Sequence, residues 1–339
     1  MKTIKLGIIN SSPFTTSYGG VGPFIKNLDP FLRDAFEVTY ITLPSHLHDL
    51  KFFPRRLTFL LYLLFKIKSF KKYDVLLSHV PEGSYIISFT KTPLVHIFHG
   101  NFNAMTQSRF WYGKYFKPIF DSFEKRILKK AKLKYTVGTE RADVPKILNP
   151  VYHSISVKSL ETRSGFIFAG RLEKIKNIDK ILKIYSQLDK EIVRDNLLYI
   201  AGAGTQETIL KQLAIELNLS DNIIFTGEIS NNEMIEFVSK KRISLMASSQ
   251  EGLPMAIAES LSVGIPVITT NTGDIPRAIK DNYNGHLLPI EFDFNDYIDK
   301  IKNILTNYEL FASNALKSSE IFRAENVANK LIHDIQSVI

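Results

Sequence analysis

Ser248-Ser249-Gln250-Glu251-Gly252-Leu253-Pro254-Met255-Ala256-Ile257-Ala258-Glu259-Ser260-Leu261-Ser262-Val263-Gly264-Ile265-Pro266-Val267-Ile268 is the stretch on which the fold turns. It reads as loop, helix, loop and buried strand. Pro254 suits the first turn of a helix, where its missing N–H is not needed. Gly264 suits the helix end, and Pro266 blocks any continuation. A helix N-terminus carries unpaired N–H groups and a partial positive charge, so it suits an anion. Glu251 and Glu259 stand eight residues apart at the two ends of this element. That arrangement invites a ligand with phosphates and hydroxyls.

The same rhythm runs outward in both directions. Val75-Leu76-Leu77, Leu94-Val95-His96-Ile97-Phe98 and Tyr135-Thr136-Val137 read as buried strands in the first half. Gly165 to Ala169, Leu197 to Ala201, Ile223 to Phe225, Ile243 to Met246 and Pro266 to Ile268 read likewise in the second. Short apolar strands alternating with helices predict an α/β protein with parallel sheets covered on both faces. Ligands of such sheets bind beyond the carboxyl ends of the strands. The length of 339 residues is enough for two domains, and a break falls near Leu148-Asn149-Pro150-Val151.

The Glu-x7-Glu stretch, with its turn, helix and following strand, resembles the donor-binding signature of glycosyltransferase family 4. The resemblance is dense from about residue 165 to 290 and sparser before. It implies retaining enzymes that use nucleotide sugars, with the GT-B fold of two Rossmann-like doubly wound domains facing across a cleft. It further implies an acceptor domain over residues 1–150, a donor domain over 151–321, and a last helix, within about 322–339, that crosses back to the first. By this resemblance Glu259 holds the nucleotide ribose, and Glu251 sits at the donor sugar. Gly252 and the backbone of Leu253, Pro254 and Met255 line the same site, although Pro254 has no N–H to give.

Other segments extend the match. Gly170-Arg171-Leu172-Glu173-Lys174-Ile175-Lys176-Asn177 follows a strand and leads into a helix. Arg171 and Lys176 resemble the family's diphosphate pair, with Lys174 as the alternative to Lys176. Cleaving the bond to the nucleotide puts negative charge on the diphosphate. The chain contains no Asp-x-Asp, so fixed cations are expected to serve in place of a metal ion. No cofactor is expected, the nucleotide sugar being a co-substrate. Tyr18-Gly19-Gly20-Val21-Gly22 resembles the first-domain glycine loop, since glycines permit close approach to a phosphate. His99 ends a strand and matches the family's histidine at the transferred sugar. His79, ending the strand before it, reads as structural. Gly202-Ala203-Gly204 lacks the third glycine of a dinucleotide fingerprint; in the family this turn lies behind the nucleotide. Gly227-Glu228 falls in the segment that meets the nucleobase. Around Asn271-Thr272-Gly273-Asp274-Ile275-Pro276-Arg277 the chain departs from the family, which has a paired glycine and an acidic residue after the proline. Asn284-Gly285 reads as a turn alone.

A glycosidase-like carboxylate dyad is the competing use of Glu251 and Glu259. Eight helical residues rise about 12 Å, whereas a retaining dyad needs about 5–5.5 Å. That spacing opposes the competing use.

Composition sets the remaining bounds. Hydrophobic residues make up 45% and charged residues 23%, as in ordinary globular proteins. There is no cysteine, which excludes disulfides and thiolate metal sites. The opening residues read as a strand rather than a leader, and the longest apolar run, Leu57 to Phe65, is too short to span a bilayer. A cytoplasmic location, peripheral on the inner face of the plasma membrane, is therefore expected. Residues 1–150 hold 23 basic against 10 acidic residues, and the remainder 20 against 24. The first half is thus the pole that meets something anionic. Arg55-Arg56 and Lys66, Lys68, Lys71 and Lys72 flank an apolar helix that suits an anionic membrane surface as well as a core. Arg109-Phe110-Trp111-Tyr112 interleaves cations and aromatics, and Arg109, Trp111 and Tyr18 are the expected acceptor contacts. Nucleic acid is not expected, because no binding motif accompanies the charge.

These readings predict a transferase that moves a sugar, from a UDP-sugar by family frequency, onto a lipid-linked diphospho-sugar or surface glycan. A sugar-nucleotide epimerase or hydrolase of the same fold, and a non-enzymatic basic membrane or nucleic-acid adaptor, are the alternatives.

Overall fold

The computed structural model describes residues 3–13, 21–48, 54–99, 115–137, 144–151 and 160–339. The chain divides into two compact units, Met1–Tyr152 with Ala324–Ile339, and His153–Arg323.

In the first unit β1 (Lys5–Ile9), β2 (Glu37–Ile41), β3 (Val75–Ser78), β4 (Leu94–His99) and β5 (Leu133–Val137) lie parallel in the order β2-β1-β3-β4-β5. Strand side chains alternate between two faces, and each face has its own core. Leu6, Ile8, Val75 and Leu77 meet Phe24, Leu28 and Leu32 of α1 (Val21–Ala35) on one side. Ile9, Leu76 and Phe98 meet α2 (Arg55–Lys66), α3 (Pro81–Ile87) and α4 (Lys117–Lys130) on the other.

In the second unit β6 (Phe166–Ala169), β7 (Leu198–Ala201), β8 (Ile223–Gly227), β9 (Ile243–Leu245), β10 (Val267–Thr270) and β11 (Gly285–Leu288) form a sheet in the order β11-β10-β9-β6-β7-β8, again all parallel. Its helices are α5 (Ile178–Ser186), α6 (Lys190–Asp195), α7 (Glu207–Glu216), α8 (Asn231–Ser239), α9 (Met255–Ser262), α10 (Ile275–Ala278), α11 (Phe294–Thr306) and α12 (Tyr308–Ser318). The final helix, α13 (Ala324–Gln336), returns to the first unit, where Val327, Ala328, Leu331 and Ile335 join the core of α1.

Strand order reverses between β1 and β3 in the first sheet and between β6 and β9 in the second. At such a point the loops on neighbouring strands depart in opposite directions and leave a crevice at the carboxyl ends. The two segments that the sequence singles out most strongly, 170–177 and 246–254, are the loops that follow β6 and β9.

Two strands differ from the sequence reading. β2 was not foreseen: its residues are exposed or half-buried, as an edge allows, so it lacks an unbroken apolar run. Asn284-Gly285 is more than a turn, because Gly285 opens β11. A Cβ there would come within 2.0 Å of the Val267 carbonyl oxygen, so the glycine lets this edge strand lie against β10.

Candidate functional site

The site in the second unit grows from the β6/β9 switch point. After β9, the Ser248 backbone carbonyl accepts a hydrogen bond from Thr270 Oγ1 at 2.5 Å, and Tyr297 from α11 bonds to both Met246 and Ile268. These contacts fix the strand end. The two loops are then laced together. Ser249 N donates to Ile175 O at 2.8 Å, and Asn177 Nδ2 donates to Ala247 O at 2.9 Å. Asn177 takes the left-handed conformation that asparagine tolerates, at φ 49°, and so turns the chain into α5.

On this frame Lys176 Nζ forms an ion pair with the Glu251 carboxylate, and Ser248 Oγ donates to the same carboxylate at 2.8 Å. Both charged side chains are largely buried, at 13% and 10% exposure. Removing one partner would strand the other in a poorly solvated place. The two lysines differ in geometry: Lys176 meets Glu251, whereas Lys174 is exposed and borders a hollow between α5 and α7. Arg171 is exposed on the same turn and has no acidic partner among the described residues.

α9 begins at Met255, with Pro254 as its N-cap rather than inside its first turn. Glu251 therefore lies outside the helix, and the helical-rise estimate does not apply to its spacing from Glu259. The carboxylate–lysine pairing is the observation that bears on Glu251 instead. Gly252 O accepts from Asp274 N at 3.0 Å, and Leu253 is buried. Gly273 makes this approach possible. It sits at φ 56°, and a Cβ would lie 2.1 Å from Glu251 O.

Glu259 lies half-buried on α9, with no partner for its carboxylate among the described residues. Desolvation pushes its carboxyl up to about 7. A carboxylate kept dry and unpaired is ready to accept hydrogen bonds from a ligand's hydroxyls. The far end of α9 is held by a residue that no sequence pattern flagged. Arg163, itself buried, donates from Nη1 to Gly264 O and from Nη2 to Val263 O, each at 2.7 Å. A cation on the final carbonyls complements the helix dipole.

The glycines after β7 serve the β6 turn. A Cβ on Gly202 would meet Gly170 O at 2.0 Å, and one on Gly204 would meet Leu172 O at 2.4 Å. Leu172 N donates to Ala203 O and Gln206 N to Leu172 O, both at 2.9 Å. Gly204 thus clasps the backbone that carries Arg171. Gly227 ends β8 at φ 68° with open space beside it, and Glu228 is exposed.

In the first unit, the strand ends bring together two histidines. His79 Nδ1 and His99 Nε2 share a hydrogen bond of 2.9 Å, and the Phe24 ring sets its edge or face at about right angles to His99, with centroids 5.1 Å apart. Burial lowers His99 to about 3, and burial together with the neighbouring His99 and His96 rings holds His79 well below the ordinary histidine value. Both rings are neutral at neutral pH. His79, read from sequence as structural, is the direct partner of the predicted site histidine. His79 directly follows β3 and His99 ends the neighbouring parallel strand β4, which sequence spacing alone does not reveal.

Tyr18, Gly19, Gly20, Arg109 and Trp111 lie outside the described residues. The six-cation set around α2 is divided. Arg55 Nη2 donates to Ser12 Oγ at 2.7 Å and Ser11 O at 3.2 Å, and Arg56 pairs with the fully buried Glu82 at 3.0 Å. Those two arginines hold the fold and do not join an outward basic face. Lys66, Lys68, Lys71 and Lys72 are exposed. No described helix is long and apolar enough to cross a membrane.

Comparison with known proteins places this geometry. Residues 154–317 match the family described as glycosyl transferases group 1. N-acetyl-alpha-D-glucosaminyl L-malate synthase of Bacillus anthracis is 23% identical over 174 residues, covering 50% of this chain and 44% of that protein. The O-antigen chain mannosyltransferase RfbU of Salmonella typhimurium is 29% identical over 172 residues, covering 50% and 46%. These matches span about half the length of the curated relatives. Among solved structures, sucrose-phosphate synthase from Thermosynechococcus elongatus superimposes with a TM-score of 0.73 at 14% identity, over 98% of both chains. Anabaena HepE in complex with UDP gives 0.72 at 13%, over 99% of this chain and 100% of that one. Residues 154–317 thus resemble the glycosyl transferases group 1 family, and the fold is the GT-B fold of two parallel-sheet units.

Proposed function

We propose that the protein is a retaining glycosyltransferase that moves a sugar from a nucleotide sugar, most simply a UDP-sugar, to a hydroxyl of a lipid-linked or surface-polysaccharide glycan without a metal ion. The observation that carries this reading is the β6/β9 switch point. There a lysine–glutamate pair and an unpartnered arginine stand on loops knitted to one another, and a desolvated glutamate stands on the helix that follows. The donor class is supported by fold neighbours, since HepE structures hold UDP and UDP-glucose. The acceptor class is supported by relatives named for O-antigen and lipopolysaccharide core synthesis.

In this reading Glu259 accepts hydrogen bonds from the ribose hydroxyls. Arg171 and Lys176 meet the diphosphate, whose charge grows as the glycosidic bond breaks. An ammonium has three donors, so Lys176 keeps its bond to Glu251 while donating to a phosphate oxygen. A charge met in this way is stabilised more in the transition state than in the ground state. The acceptor hydroxyl approaches from the face that the diphosphate leaves. A diphosphate oxygen takes its proton, and the new C–O bond keeps the configuration of the old one. Glu251 contacts the transferred sugar.

The test is incubation with a panel of nucleotide sugars in EDTA, with and without a lipid-linked glycan fraction. Nucleoside diphosphate release that depends on the glycan fraction is expected. An epimerised sugar formed from donor alone would replace the transferase with an epimerase, and no turnover of any donor would remove the enzymatic reading.

A further inference from the structure

α2 is apolar on two opposite sides. Phe59 and Leu63 are fully buried in the core of the first unit. Leu61, Leu64 and Phe65 face away from that core at 47%, 44% and 88% exposure. A helix that is hydrophobic all round normally has something against every face. Here one face has no protein cover among the described residues. The four lysines at its end, Lys66, Lys68, Lys71 and Lys72, are all exposed, and none has a carboxylate partner among the described residues.

Beside the same turn lies a hollow of about 400 Å³ lined by Tyr62, Lys66, Ser69, Lys72 and Tyr73 among others. Lys66 Nζ stands 5.8 Å from the centre of the Tyr62 ring, and Lys72 Nζ 5.0 Å from that of Tyr73. The two ammoniums are therefore poised over aromatic walls and free to meet an anion.

We infer that the C-terminal half of α2 and the 67–72 segment form a docking surface for an anionic phospholipid bilayer. Leu61, Leu64 and Phe65 enter the acyl boundary. The lysines meet headgroup phosphates, one of which occupies the tyrosine-lined hollow. Charge selects this occupant over a second copy of the chain, because pairing two such faces would set eight unpaired ammoniums against each other. Exposed apolar side chains within a basic cluster match the interfacial helix, which lies in the plane of the bilayer surface.

The experiment is vesicle co-sedimentation of the full chain. Phosphatidylglycerol–phosphatidylcholine vesicles are compared with phosphatidylcholine alone, at low and high salt. Binding is expected to the anionic vesicles alone and to fade at high salt as the charges are screened. Phe65→Ser, and separately Lys66→Gln with Lys68→Gln, Lys71→Gln and Lys72→Gln, should each weaken it about tenfold or more. A matched removal of Lys190, Lys211, Lys240 and Lys317 from the second unit should leave it unchanged. All these side chains are exposed, and a thermal melt confirms that each variant is folded. Equal binding to neutral vesicles, no binding to either, or equal loss in the matched control would overturn the proposal. So would self-association abolished by Phe65→Ser, which would put a second copy on this face. Nucleotide-sugar turnover is not the readout, so this surface and the transfer reaction stand or fall separately.

Discussion

At the residue scale, Glu259 joins chemistry to stability. Its carboxyl is raised to about 7 by desolvation, from 4.5 in the unfolded chain. The folded state therefore binds the extra proton between those values, and stability falls as pH rises through that window. Glu259→Gln should raise the melting temperature near about pH 8 and leave it unchanged near about pH 4, because the charge is missing from both forms there. The same substitution should weaken nucleotide-sugar binding at about pH 8 by roughly tenfold, the loss of a charge-assisted hydrogen bond. Thermal melts at the two pH values check the first statement; equal shifts at both would show that Glu259 is not a destabilising buried charge. His79 makes a second case. Its hydrogen bond to His99 couples the tautomers of the two rings, since one nitrogen must donate and the other accept. Nitrogen chemical shifts should report a single His99 tautomer in the native protein and a mixture in His79→Ala. A single tautomer in both would reduce His79 to packing.

At the element scale, α9 is held at both ends. Gly273 allows the 271–274 turn to close over Glu251 and Gly252, and Arg163 seals the carboxyl end of the helix. Gly273→Ala combines a positive φ with a Cβ 2.1 Å from a backbone oxygen. It should displace the Glu251 loop and abolish donor binding, with a smaller loss of global stability. A Gly273→Ala protein that melts normally and binds donor normally would contradict the tight approach. Arg163→Leu leaves two carbonyls unsatisfied and should cost about 2–4 kcal/mol, read by chemical denaturation. Much of this scale was legible in the sequence. Apolar runs such as Leu94 to Phe98 and Ile243 to Met246 mark the buried strands, and the prolines and glycines of 252–266 mark the limits of α9. β2 and β11 were not legible, because edge strands need no continuous apolar run. Arg163 was not legible either, since the carbonyls it caps lie about a hundred residues further along. Arg55 and Arg56 looked like part of a basic face because their partners, Ser12 and Glu82, are also distant in sequence.

At the scale of the whole molecule, the charge asymmetry follows the division into units. The excess of basic residues falls in residues 1–150, and the acidic surplus in the remainder. The donor site proposed for the second unit is thus not made by bulk positive charge. Arg171 and Lys176 are local cations in an otherwise acidic half, which supports a dedicated diphosphate role. Donor-dependent turnover should persist in EDTA. Loss on chelation with recovery in Mg²⁺ or Mn²⁺ would show that those two side chains do not suffice.

The central claim is that a nucleotide sugar binds at the β6/β9 switch point. Calorimetric titration of UDP-sugars into the native protein and into Glu259→Ala, both in EDTA, addresses it most directly. The account predicts saturable binding of at least one UDP-sugar to the native protein, weakened about tenfold or more in the folded variant. Equal affinity in the two proteins, or no binding of any nucleotide sugar to the native chain, would contradict it.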